Sequence, residues 1–167
     1  PTHRLVDQNR LVHVTRFGLA TVVMTTPDLI YDLSVGPRGE LYIAFTHTIY
    51  VYEPRTAALT HFAGIYTGDC PAITTAQPAD TAVLCGFIHI TASPDGSVFV
   101  MDGQNGRISR ITRDGIIRPF AFQGVRCDYQ GVAQYNGNFC GFDTPAWSMG
   151  VHNLGDIEAG PGGELYV

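Results

Sequence analysis

The chain of 167 residues carries ten Lys and Arg against fifteen Asp and Glu, a formal net charge of −5, with only 15% charged residues and nineteen glycines. No window holds the basic stripe that a nucleic-acid surface needs, and no apolar run reaches the ~18 residues of a membrane span. The length suffices for one domain with a sizeable core, and sparse charge with abundant glycine suits a turn-rich all-β architecture rather than a helical one.

Taken in chain order, residues 10–15 and 19–23 read as two strands around a Phe17-Gly18 turn. Strands over 29–35, 40–45, 48–53 and 58–63 follow, punctuated by Pro37-Arg-Gly39, Thr46-His47 and Pro54-Arg55. The same order returns at 87–92, 97–102, 107–112 and 116–122, with Asp114-Gly115 as a hairpin turn. A final stretch, 154–167, holds two strands more. The motif Val35-Gly-Pro-Arg-Gly-Glu-Leu-Tyr-Ile43 recurs as Ala92-Ser-Pro-Asp-Gly-Ser-Val-Phe-Val100 and Ala159-Gly-Pro-Gly-Gly-Glu-Leu-Tyr-Val167. Pro37, Pro94 and Pro161 are thus spaced by 57 and 67 residues. A copied supersecondary unit buries its core only by stacking on its neighbours.

A four-stranded antiparallel unit repeated in this way is a β-propeller blade. The expected organisation is outer strands of one blade (1–27), a blade (28–64), a loop (65–85), a blade (86–123), an insert (124–152) and inner strands of another blade (153–167). Half a blade, two blades and half a blade do not close a ring of the usual four to eight or so. The half-blades are complementary, and the chain reads as a section of something longer or as one member of an assembly. No signal peptide is visible. An exposed half-blade is an aggregation-prone edge, so a free stable monomer is not expected.

The four cysteines sit at equivalent places in the repeat. Cys70 and Cys127 follow fourth strands 57 residues apart, and Cys85-Gly-Phe87 and Cys140-Gly-Phe142 precede the next unit. The predicted disulfides are Cys70–Cys85 and Cys127–Cys140, the first closing a loop worth about 3 kcal/mol in the chain-entropy model. They point to an oxidising, extracellular or cell-surface setting.

Asp32, His89 and Asp156 each lie five residues before a turn proline. First strands line the channel of a propeller, so these three are candidate channel ligands. Carboxylates favour Ca²⁺ and imidazole favours zinc; hydrogen bonds to backbone or water are the plainer reading, and no cofactor is assigned. The Asp102-Gly-Gln-Asn-Gly106 segment lacks the acidic spacing of a calcium loop and reads as a hairpin turn. The insert carries Tyr129, Tyr135, Phe139, Phe142 and Trp147, either partner-binding anchors or a satellite core. No nucleophile elbow, zincin or phosphate-loop motif occurs, so no catalytic residue is assigned. No Asn-x-Ser/Thr acceptor occurs; the threonine pairs at 25–26 and 74–75 are compositional candidates for O-glycans.

Three stretches carry a family resemblance: Phe62-Ala-Gly-Ile-Tyr-Thr-Gly-Asp-Cys-Pro-Ala-Ile-Thr-Thr-Ala76, Ile90-Thr-Ala-Ser-Pro-Asp-Gly-Ser-Val-Phe-Val-Met-Asp102 and Asn105-Gly-Arg-Ile-Ser-Arg-Ile111. Together they resemble the NHL-repeat β-propellers, most of all the extracellular teneurin-type branch. The chain departs from that pattern in its cysteine pairs, its longer crossings and the segment Ala44-Phe-Thr-His-Thr-Ile49, which lacks the Asn-x-Arg element. The resemblance implies a non-catalytic extracellular module for protein–protein interaction, adhesion or structural assembly. Its partners would be other protein chains, neighbouring repeats or filament subunits. The alternative is a metal-dependent lyase or hydrolase with its site in the channel, as in NHL-like lyases; a carbohydrate-binding module using the insert aromatics is a third reading.

Overall fold

The computed structural model describes residues 9–86, 88–103, 106–122, 139–140, 145–151 and 155–167. Among them there is no α-helix; the strands are joined by tight turns and one short 3-10 turn, Ala146–Ser148. Strands β1 (Asn9–Val14) and β2 (Ala20–Thr26) form a two-stranded antiparallel sheet. Strands β3 (Asp32–Val35), β4 (Leu41–Ala44), β5 (Ile49–Glu53) and β6 (Ala58–Ala63) form a four-stranded meander. Strands β8 (Ile88–Ala92), β9 (Val98–Asp102), β10 (Arg107–Ile111) and β11 (Ile116–Ala121) repeat it, with β7 (Gln77–Pro78) added outside β11. Two short hairpins follow: β12 (Phe139–Cys140) with β13 (Gly150–Val151), and β14 (Glu158–Ala159) with β15 (Leu165–Tyr166).

The predicted strand order therefore holds, with two differences. The outer edge of the second meander is closed by β7, from within what reads as a plain loop; Ile116 and Ile117 pair with Pro78 and Gln77. Alternation carries no signal in a two-residue strand containing proline, which fits only at an edge. The last hairpin is short, so Asp156 precedes β14 rather than lying within it. The described sheets do not close into a ring, and only two of them have four or more strands.

One turn geometry recurs five times. In the turns starting at Thr15, Gly36, Ser93, Thr112 and Gly160, the first residue's N–H bonds the carbonyl four residues on, and its own carbonyl accepts the N–H three residues on. The fourth residue is always a glycine in the left-handed region, φ between 76° and 88°, a conformation that costs a side-chain-bearing residue about 1 kcal/mol or more. The β5–β6 loop is one residue longer and places Ala57 there, at φ 56°. A second signature marks the outer hairpins. The β1–β2, β5–β6 and β10–β11 pairs each shift register immediately after Leu11, Ile49 and Ile108. Those three residues are therefore equivalent, and β1–β2 is built like the third and fourth strands of the larger sheets.

The sheets stack face to face. Leu11, Val23 and Met24 pack on Ile43, Phe45 and Tyr52, joining the first sheet to the second. Tyr42, Ala44 and Ile49 pack on Ile88, Ile90, Val98 and Val100, joining the second to the third. Phe99, Met101 and Ile108 pack on Ile157 and Leu165, joining the third to β14–β15. Strand β9 sends Val98 and Val100 to one interface and Phe99 and Met101 to the other, so all four are buried. A strand covered on both faces reads as an unbroken apolar run, which is why 98–101 contains no polar residue. Aromatic pairs recur across each larger sheet: Tyr42 with Phe62 edge-on at 5.1 Å and Phe99 with Phe120 tilted at 4.8 Å.

Candidate functional site

First strands of successive sheets lie side by side, and polar side chains stitch them together. The Ser34 hydroxyl on β3 accepts the Ala92 N–H of β8 at 2.9 Å, and the Thr91 hydroxyl on β8 accepts the Ala159 N–H of β14 at 3.0 Å. Ser34 and Thr91 occupy the same repeat position, three residues before the turn proline, and Glu158 is the third member of that row. The bonds satisfy edge amides that no described strand pairs. The spacing from the turn prolines puts these three in one row, but only the adjacency of the strands gives it a role.

Two residues earlier in the repeat, Asp32, His89 and Asp156 converge. Nδ1 of His89 stands 3.7 Å from Oδ2 of Asp32 and 3.5 Å from Oδ1 of Asp156. Backbone amides hold both carboxylates in place. Oδ1 of Asp32 accepts Leu33 N–H at 2.7 Å and its Oδ2 accepts Ile90 N–H at 2.8 Å, while Oδ1 of Asp156 accepts Ile157 N–H at 2.8 Å. Burial pushes the Asp32 carboxyl above its ordinary value despite those amides and the neighbouring imidazole, and the Asp156 charge adds to the rise. Asp156 is 77% exposed and leaves the group open on its side.

Both separations exceed a direct hydrogen bond. A single imidazole nitrogen can donate to one carboxylate only. One ligand atom from each of the three residues lies within 4.8 Å of the other two, a spread compatible with a shared cation at about 2.0–2.5 Å from each. The three residues that share one repeat position thus lie together in space. A mixed set of two carboxylates and one imidazole matches neither the all-oxygen preference of Ca²⁺ nor the nitrogen- and sulfur-rich sites of zinc, so the donor chemistry names no ion.

The Cys70–Cys85 disulfide is present, with a Cα–Cα separation of 5.6 Å. His47 fixes the same crossing to the second sheet. Its Nδ1 lies 3.0 Å from the Leu84 carbonyl and 3.2 Å from the Gly86 amide, and its ring stacks on Tyr66 at 4.2 Å. No motif spacing in the sequence singled out His47. His61, on the exposed β6, reaches the Gly64 carbonyl at 2.8 Å. Strands β9 and β10 pair from Asp102 and Arg107, as the hairpin reading of 102–106 requires.

Of the insert aromatics, Trp147 lies on the 3-10 turn and is 57% exposed. Tyr129, Tyr135 and Phe142 lie outside the described residues, as does the side chain of Phe139. The predicted Cys127–Cys140 bond also lies outside them. No family model matches the chain, and no curated protein matches it in sequence. No described helix is long and apolar enough to cross a membrane.

Proposed function

We propose that the chain is a section of an extracellular NHL-type β-propeller whose role is structural: it presents sheets for assembly or adhesion and performs no catalysis. The carrying observation is the side-by-side run of β3, β8 and β14, with face-to-face sheets behind them and the same hydroxyl-to-amide bond repeated from Ser34 and Thr91. Radial stacking about a line of first strands is propeller packing. The disulfide at the crossing suits an oxidising compartment. Partners are protein chains or neighbouring repeats of the same kind. The test is electron microscopy of the associated protein: class averages with sheets radiating about a central hole are expected, and an open stack with no central axis overturns the reading.

A second reading has its own observation, the convergence of Asp32, His89 and Asp156. Under it the group holds a divalent cation in the channel and supports lyase or hydrolase chemistry. Metal content after dialysis, compared between the wild type and Asp32→Ala, His89→Ala and Asp156→Ala, separates the two. Unchanged content in all four supports the scaffold; bound metal and turnover that vanish together in the variants support the enzyme.

A further inference from the structure

We infer that β14–β15 of one copy and β1–β2 of a second copy join into a single four-stranded sheet, in a register dictated by the larger sheets. The inference rests on the assembly reading and names its partner and junction. The shared register shift makes Leu11 equivalent to Ile49 and Ile108. The shared turn makes Leu165 equivalent to Leu41 and Val98. Within the chain, Leu41 pairs with Tyr52 and Tyr42 with Val51; Val98 pairs with Ile111 and Phe99 with Arg110. Transferred to the two short hairpins, the rule pairs Leu165 with Val14, Tyr166 with His13 and Val167 with Val12.

The faces left open match this pairing. Val12, Val14 and Val22 are 43%, 60% and 50% exposed, on the side of β1–β2 turned away from the second sheet. Beside β15 runs an apolar groove of about 420 Å³ whose lining includes Phe120, Phe122, Met149, Leu165 and Tyr166. An added outer hairpin would lie over that groove and lay the valines into it. Tyr166, 62% exposed, holds the position of Tyr42 and Phe99, which each pack on an aromatic of the fourth strand. In the joined sheet it meets Val23 of the second copy, at the position of Phe62 and Phe120. Strand addition of this kind gains main-chain hydrogen bonds and covers two edges that no described strand pairs.

The test is sedimentation velocity on the 167-residue chain, Val14→Lys and Tyr166→Lys, with circular dichroism to check each fold. The wild type is expected at twice the 18.1 kDa chain mass or larger. Each variant alone, with a lysine forced into the junction, is expected to associate at least about a hundredfold more weakly. An equimolar mixture restores a two-chain species, because the intact tail of Val14→Lys meets the intact head of Tyr166→Lys. Variants that associate like the wild type overturn this junction but leave the assembly reading standing. A mixture that stays monomeric also overturns it, because the two faces then do not meet each other. A wild type that is monomeric at high concentration overturns both.

Discussion

The turns at 36–40 and 93–97 have the same backbone and opposite side-chain plans. In Gly-Pro-Arg-Gly-Glu the carboxylate comes from the fifth position: Glu40, 2% exposed, folds back under the turn, accepts the Arg38 N–H at 2.9 Å and meets the Arg38 guanidinium at 3.4 Å. Burial alone would raise its carboxyl, but the hydrogen bonds from its own amide and that of Arg38, with the Arg38 charge, hold it below the ordinary value. In Ser-Pro-Asp-Gly-Ser the carboxylate comes from the third position. Asp95 accepts the Ser97 amide at 2.9 Å and the Ser97 hydroxyl at 2.6 Å and pairs with Arg110. The first residue of the turn follows from this choice. A Cβ at Gly36 would stand 2.8 Å from Cγ of Glu40, and one at Gly160 2.8 Å from Cγ of Glu164. Glycine is kept where a glutamate folds back, and serine is admitted where the fifth residue is small. The comparison teaches that positions 36 and 40 form one unit, as do 93 and 97, although each looks like independent variation in a turn.

The strongest way to break that pairing is Gly36→Ser. It forces Glu40 from its seat and leaves a buried carboxylate short of partners, for an expected loss of about 2 kcal/mol in urea unfolding. Adding Glu40→Ser should recover most of that loss, and simple additivity in the double-mutant cycle would count against the coupling. The reciprocal change, Ser97→Glu with Ser93 retained, is expected to cost about 1–2 kcal/mol for the same crowding and to be relieved by Ser93→Gly.

A gentler probe is pH. The Ser97 hydroxyl and amide hold the Asp95 carboxyl down at about 2 against an ordinary 3.8. A carboxylate with a lowered folded value contributes stability above its unfolded value and loses it as pH falls through the folded one. The Asp95 contribution is therefore full above pH 3.8 and gone below about 2, with its size reduced because the side chain is half exposed. Unfolding midpoints between those limits should fall less steeply for Asp95→Asn; identical slopes would remove Asp95 from the turn's account. Smallest of all is Ala57→Gly in the β5–β6 loop. Every five-residue turn has glycine at its left-handed position, and the longer loop has alanine; the substitution should raise stability by about 0.5–1 kcal/mol by thermal melting.

Much of this was legible in the chain. Pro-x-Gly punctuation and the 57-residue spacing located the strands of both large sheets and the Cys70–Cys85 bond. They also put Asp32, His89 and Asp156 at one position of the repeat. What stayed illegible depended on neighbours distant in sequence. Strand β7 is two residues long and exists because β11 has a free edge beside it. His47 matters because the chain returns to it at Leu84 and Gly86, well outside its own hairpin.

Local chemistry alone determined where the backbone turns, which residues alternate and which positions are copies of one another. A turn closes within five residues and needs only a glycine able to reach positive φ. Tertiary structure decided which copies touch. The bonds from Ser34 to Ala92 and from Asp32 to Ile90 each span 58 residues, and the meeting of His89 with both carboxylates appears only when neighbouring sheets bring their first strands together. That packing is set by burial of both faces of the central sheets, a property of the stack that no single repeat contains.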